Sequence, residues 1–198
     1  MASAERGETI WINGSQVEFY GLVGAGFVKM VRSMGPGHQT TFEVFGPGQI
    51  FGLLGMIEGT GCPLMARAVC FTWYLKIPKA AFLPIYDNNR LLRASLLKRT
   101  THRFRERMEI MAHLSTGSVE AKIAVILLLL AQSYGEETSA GVRLQMPLMR
   151  RDLAEMAGTT VESAIRVFSR WQRSGLVRTD DHYVTIIDTD ELKRSSFE

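Results

Sequence analysis

The sequence predicts an α+β chain in three consecutive parts: a β-barrel, a long helix and a winged helical unit. Short apolar runs punctuated by glycine fill the first third of its 198 residues. A helix-forming stretch free of Gly and Pro follows Pro84. The segment "RRDLAEMAGTTVESAIRVFSRWQRSGLV", Arg150 to Val177, then reads as two helices joined at Gly158.

Residues 7–78 carry the β signal. "TIWI", "FVKMV", "TTFEVF" and "WYLKI" are rich in β-branched and aromatic residues, and "NG" and two "GPG" turns separate them. Many short strands with turn signals between them form a barrel or sandwich. Gly46, Gly48, Gly52 and Gly55 crowd one segment, as tight turns or close backbone approach require.

From Asp87 to about Leu114 strong helix formers dominate. Ala94, Leu97, Thr101, Phe104, Met108 and Met111 alternate by three and four residues, a heptad seam with one imperfect position, Thr101. Such a helix is roughly 40 Å long. A parallel dimeric coiled coil is the favoured reading; the alternative is a helix lying along its own barrel. The other faces carry Arg90, Arg93, Lys98, Arg99, Arg103, Arg105 and Arg107 against Glu106 and Glu109. Ser118 to Tyr134 reads as a second, largely apolar helix, and "GEETSAG" as a polar linker. The expected divisions are 1–86, 87–114 and 115–198.

In the C-terminal unit "LMRRDLAEMA" predicts one helix with Leu148, Leu153 and Met156 on its apolar side. The next helix starts at a cap, Thr159 or Thr160, and the Thr159–Glu162 spacing fits a capping box. Ala164, Val167, Phe168 and Trp171 form its buried stripe. Small Ala154, turn Gly158, then Ala164 and Val167 stand at the offsets of a helix-turn-helix; the bland alternative is a helical hairpin. Val161, Glu162, Ser163, Ile165, Arg166 and Arg170 are left outward. In such a motif the start of the second helix faces base edges, where Arg suits guanine and Glu suits cytosine. Glu162 and Arg166, one turn apart, would otherwise be a surface ion pair. "GLVRTDDHYVTIID" predicts a two-stranded wing, on which Arg178 is a phosphate contact or a solvated charge. Basic residues concentrate around these helices, as a phosphate-tracking surface needs.

Other classes find little support. Apolar content is 46%, charged content 22% and net charge +3, ordinary for a globular protein with at most a weak bias towards an anionic partner. Cys62 and Cys70 are too few for a zinc or iron–sulfur framework and fit a reducing cytoplasm. "MASAERGETI" has no signal-peptide pattern, and "IAVILLLLA" is too short to span a bilayer. There is no P-loop, no nucleophile–base order and no metal spacing, so no enzyme is expected.

In order along nearly its whole length, the chain resembles the bacterial cyclic-AMP receptor protein / fumarate-nitrate regulator (CRP/FNR) family. "ERGETIWINGSQVEFYGLVGAGFVKM" resembles the opening strands of that family's effector barrel, a jelly roll of the cyclic-nucleotide-binding kind. "GPGQIFGLLGMIEG" resembles its glycine-rich turn, the long helix its dimerisation helix, and "RRDLAEMAGTTVESAIRVFSRWQRSGLV" its helix-turn-helix. The resemblance implies a cytoplasmic homodimer that reads a palindromic promoter site on double-stranded DNA, with RNA polymerase as a further partner and no membrane. It implies base contacts from Glu162, Ser163 and Arg166, with Val161 touching a thymine methyl. Arg150, Thr160, Arg170 and Arg178 are the expected phosphate contacts.

The departures concern the effector. Leu53 stands where nucleotide-binding members carry a ribose-binding Glu, and Cys62 or Pro63 falls where their phosphate arginine lies. Burying a phosphate without a cation is costly. Gly52, Leu53, Gly55 and Cys62 therefore read as a degenerate pocket that binds no cyclic AMP. No cofactor or metal is predicted, although His38 and Cys62 leave haem, a redox role or a small ligand open as an alternative effector. The family's N-terminal helix has no counterpart, which a truncation or a short natural start would explain.

Overall fold

The computed structural model describes residues 1–35, 38–58 and 61–196, in two compact units, Met1–Arg105 and Glu106–Glu198. In the first unit two four-stranded antiparallel sheets form a jelly roll. One sheet runs β1 (Ala2–Ala4), β8 (Thr72–Pro78), β3 (Phe19–Ala25), β6 (Ile50–Phe51). The other runs β2 (Thr9–Trp11), β7 (Met65–Ala68), β4 (Val28–Gly35), β5 (His38–Phe45). Strand alternation turns Val28, Met30, Ala66 and Ala68 inwards, where they meet Trp11, Val23, Phe45, Phe51 and Tyr74. The rings fix this core: Trp11 stacks on Phe51 at 5.3 Å, and Phe51 meets Tyr74 edge-on at 5.5 Å.

A short helix α1 (Leu53–Glu58) follows β6, and α2 (Lys79–Asn88) follows β8. The sequence predicts a single long helix from Asp87. Instead α2 forms earlier and tolerates Pro84, because Phe82 is buried edge-on against Tyr20 at 5.0 Å. The long helix α3 (Arg90–Thr116) starts afresh after Asn89, whose Oδ1 accepts the Leu92 N–H at 2.9 Å. An Asn cap restarts the helix there. On α3, Leu92 and Leu96 pack against the Tyr20–Phe82 cluster. Ala94, about 200° round the helix from Leu92, opens the opposite stripe.

In the second unit α4 (Val119–Tyr134) is capped by Ser118, which accepts the Ala121 N–H at 3.1 Å. "GEETSAG" is no linker: β9 (Gly135–Thr138) and β10 (Gly141–Leu144) form a hairpin. Strand β10 also pairs with β12 (Tyr183–Ile186), which pairs with β11 (Val177–Asp180). The expected two-stranded wing is thus half of a four-stranded sheet ordered β11-β12-β10-β9. Leu144, Val184 and Ile186 of that sheet are fully buried, as are Ile123 and Leu127 on α4 and Leu192 further along the chain. Leu192 lies on a helix not expected from sequence, α7 (Thr189–Ser195).

Candidate nucleic-acid interface and barrel interior

Helix α5 (Arg150–Ala157) starts two residues later than expected, so Leu148 precedes it. Pro147 and the capping geometry set the start: the Asp152 carboxylate accepts the Met149 N–H at 3.0 Å. Leu148 is still fully buried, and its N–H donates to the His182 carbonyl at the wing tip, 2.8 Å away. Leu153, Ala154 and Ala157 are buried, whereas Met156 is only half-buried. Gly158 ends α5 with φ +60, a left-handed cap that glycine adopts without cost.

Helix α6 (Val161–Arg173) is capped by Thr160, not by Thr159. Thr160 Oγ1 accepts the Ser163 N–H at 3.2 Å, so the capping box expected from Thr159 and Glu162 does not form. Ala164, Val167, Phe168 and Trp171 are buried as expected. Fully burying a side chain such as Phe168 stabilises by about 1.5–3 kcal/mol, enough to fix the helix rotation. Val161, Glu162, Ile165, Arg166 and Arg170 then face outwards. Ser163 is half-buried and engaged: its Oγ accepts Arg166 Nη2 at 2.9 Å and the Thr160 hydroxyl at 3.2 Å. The Glu162 carboxyl is held below its ordinary value, chiefly by its own backbone N–H and also by the Arg166 charge. It stays an acceptor at neutral pH.

The expected phosphate contacts separate into two groups. Arg178 is exposed on β11, and Thr160 is exposed at the start of α6. Arg170 is exposed but ion-paired with Glu120 on α4. Arg150 is drawn inwards: its guanidinium lies 3.8 Å from the centre of the Phe168 ring and donates to Thr179 Oγ1 at 3.0 Å. Desolvation there lowers its pKa. Arg150 therefore ties α5, α6 and the wing together.

In the first unit Gly52 packs against the Trp11 ring, and Leu53 joins the apolar cluster of Tyr20 and Phe82. Gly55 backs onto Cys62, which is buried in the barrel core. The nearby cation, Arg67, lies between inward Ala66 and Ala68, so it points to the other face and bonds Gln39 Oε1 at 3.1 Å. Arg103, expected only among the outward cations of the long helix, instead packs on β5. Its guanidinium sits 4.5 Å from the centre of the Phe45 ring and is paired with Glu43 on β5. His38 begins β5, but its side chain lies outside the described residues. Among the described residues no three His, Cys, Asp or Glu come together as a metal site, and no helix is long and apolar enough to cross a membrane.

Along α3 every seam residue is exposed; Leu97, Phe104, Met108 and Met111 lie between 57% and 69% accessible.

Fold and site define a winged helix-turn-helix DNA-binding protein joined to a jelly roll of the cyclic-nucleotide-binding type. Two family models cover most of the chain: the cyclic nucleotide-binding domain over residues 2–89 and the Crp-like helix-turn-helix domain over 121–195. The chain belongs to the CRP/FNR family of transcription regulators. It is similar to the transcriptional activator protein anr of Pseudomonas aeruginosa, at 24% identity over 95% of this chain and 77% of that one. Among solved structures it is similar to FixK2 from Bradyrhizobium japonicum, with TM-score 0.86 at 19% identity, covering 98% of this chain and 94% of that chain. A CRP-family regulator from Thermus thermophilus superposes with TM-score 0.82 at 23% identity, covering 100% and 97%.

Proposed function

We propose that this transcription regulator acts as a cytoplasmic homodimer, reading a palindromic promoter site through α6. The observation that carries the proposal is the outward face of α6. Glu162 and Arg166 are exposed one turn apart while Ala164, Val167, Phe168 and Trp171 hold the opposite face in the core. Arg166 reads a guanine, Glu162 accepts from cytosine N4, and Val161 touches a thymine methyl. Ser163 contributes by orienting Arg166. Arg178, Thr160 and Arg170 contact phosphates, with Arg170 exchanging Glu120 for DNA, and Arg150 acts through the wing.

The functional divisions are an effector-type barrel over 1–86, a dimerisation helix over 87–114 and a DNA-binding unit over 115–198. The exposed stripe Ala94, Leu97, Thr101, Phe104, Met108 and Met111 supports pairing of α3 with a second copy. Gly52, Leu53, Gly55 and Cys62 line no nucleotide-phosphate site, so DNA binding is independent of cyclic AMP. RNA polymerase is the partner at the promoter.

Selection from random-sequence DNA tests the reading; a palindromic site should be enriched, and no enrichment would sink it. Arg166→Ala should then cost about 1–3 kcal/mol and relax one base position per half-site. Equal loss on all sequences would remove Arg166 from base reading.

A further inference from the structure

We propose that the face of α3 carried by Ser95, Lys98, Arg99 and His102 binds a polyphosphate anion. The anion is the phosphate chain of a nucleoside polyphosphate or free inorganic polyphosphate. The site shares no residue with α6 and does not require α3 to pair.

Helical spacing puts positions 95, 98, 99 and 102 on one face of α3, where the four side chains line an open cleft. All four are exposed. The seam residues Leu97 and Phe104 project from another side, so the cleft stays open in a paired helix as well. No Asp or Glu stands within four residues of Lys98 or Arg99. Both cations are paired with no acid among the described residues. Elsewhere the chain balances its helical surface cations about one turn away: Arg151 with Glu155, Lys193 with Asp190 and Arg194 with Glu191. On α3, Lys98 and Arg99 adjoin, and Arg103 lies one turn beyond Arg99. Like charges one turn apart destabilise a helix. A multiply charged anion in the cleft removes that repulsion.

The donors select the ligand. Lys and Arg side chains donate and never accept, so the cleft suits a ligand rich in acceptor oxygens and negative charge. The Arg99 fork matches two phosphate oxygens at once, and the Lys98 ammonium supplies a compact point charge. The Ser95 hydroxyl and a His102 ring N–H add donors at the two ends. From Ser95 to His102 the helix rises by about 10 Å, more than a single phosphate covers. A short chain of linked phosphates follows the whole face. Glu106 stands on the same face one turn beyond His102, which ends the basic track there. A nucleic-acid backbone needs a longer one.

The test titrates inorganic tripolyphosphate into the full-length protein by calorimetry, at a constant ionic strength of about 0.15 M so that screening is fixed. Wild type should bind saturably. Lys98→Gln and Arg99→Gln should each weaken binding about tenfold, the loss of one hydrogen bond to a charged group. Both positions are exposed and glutamine is a good helix former, so the melting temperature should stay unchanged. Arg166→Ala with Arg178→Ala strips cations from the DNA-binding unit and should leave the affinity intact. ATP separates the two sources: tighter binding than tripolyphosphate assigns a nucleoside polyphosphate, and equal or weaker binding assigns the free chain. Absence of saturable binding overturns the proposal. So does equal affinity in wild type, Lys98→Gln and Arg99→Gln. A loss confined to the Arg166→Ala, Arg178→Ala protein moves the anion to the DNA-binding unit and overturns it too. If non-specific duplex DNA displaces tripolyphosphate from that same double variant, the face belongs to nucleic acid and the proposal fails.

Discussion

The indole Nε1 of Trp171 donates to Glu120 Oε1 at 2.7 Å, joining the buried end of α6 to the first turn of α4. The other oxygen of the same carboxylate pairs with Arg170. One acidic side chain thus satisfies a buried donor and restrains an exposed cation on the recognition helix.

Glu120→Ala should lower the stability of the C-terminal unit by about 1–3 kcal/mol, because it strands the Trp171 N–H away from water. Glu120→Gln keeps an acceptor for the indole and should lose less. Chemical denaturation followed by tryptophan fluorescence measures both. If alanine and glutamine cost the same, the indole bond contributes nothing.

The recognition elements were legible in sequence because their signals are local. Gly158, Thr160 and the stripe Ala164, Val167, Phe168 and Trp171 all lie within one short segment. Glu120 was not legible: it precedes Trp171 by some fifty residues, and only packing brings them together. The same distinction separates the strands. "TTFEVF" announces itself, but β3 is interrupted by Gly21 and Gly24, whose missing side chains make room for the rings of Phe51 and Trp73. Helix α2 was hidden by Pro84, and β9–β10 by the polar sequence of "GEETSAG", which pairs because Leu144 is buried. The Asn89 cap that divides α2 from α3 was readable, but the helix-forming residues on both sides masked it.

The exposed seam of α3 carries an electrostatic consequence for pairing. Arg93, Lys98 and Arg105 flank Ala94, Leu97, Thr101 and Phe104, and no acid lies between Arg90 and Arg105. A parallel pair sets these cations beside their counterparts, which repel. Dimerisation should therefore strengthen with added salt, because screening shortens the reach of the repulsion. Sedimentation equilibrium at about 0.05 M and 0.5 M salt reads the shift, the Debye length falling to near or below 5 Å at the higher value. Leu97→Ala with Phe104→Ala should weaken the dimer at both. A dimer that dissociates with salt would place the contact elsewhere.

Cyclic AMP should leave the protein unchanged. Leu53 is committed to an apolar cluster, Cys62 is buried in the core and Arg67 faces the other side of its sheet. A ligand present at a hundredfold its dissociation constant stabilises a protein by about 2.7 kcal/mol. Millimolar cyclic AMP should give no shift in melting temperature, and any site of micromolar affinity would be visible in the same scan. A saturable upward shift would restore the nucleotide to the barrel.

The two thiols should differ in reactivity. Cys62 is 2% exposed, wedged against Gly55, and burial raises its pKa above the ordinary 9.0. Cys70 is half-buried. The thiolate is the reactive form, so iodoacetamide at pH 8 should modify Cys70 well before Cys62. In denaturant the rates should converge, since only the fold holds them apart. The linkage has a definite sign. An acid whose pKa is raised by folding keeps its proton in the native state while the unfolded chain releases it. The stability tied to Cys62 is therefore complete below pH 9 and declines as the pH rises above it. Cys62→Ser puts a hydroxyl into the same core site and removes the titration, so its denaturation midpoint should fall less than wild type between pH 8.5 and about pH 10. Equal alkylation rates in the native protein would show that the Gly55–Cys62 contact opens in solution.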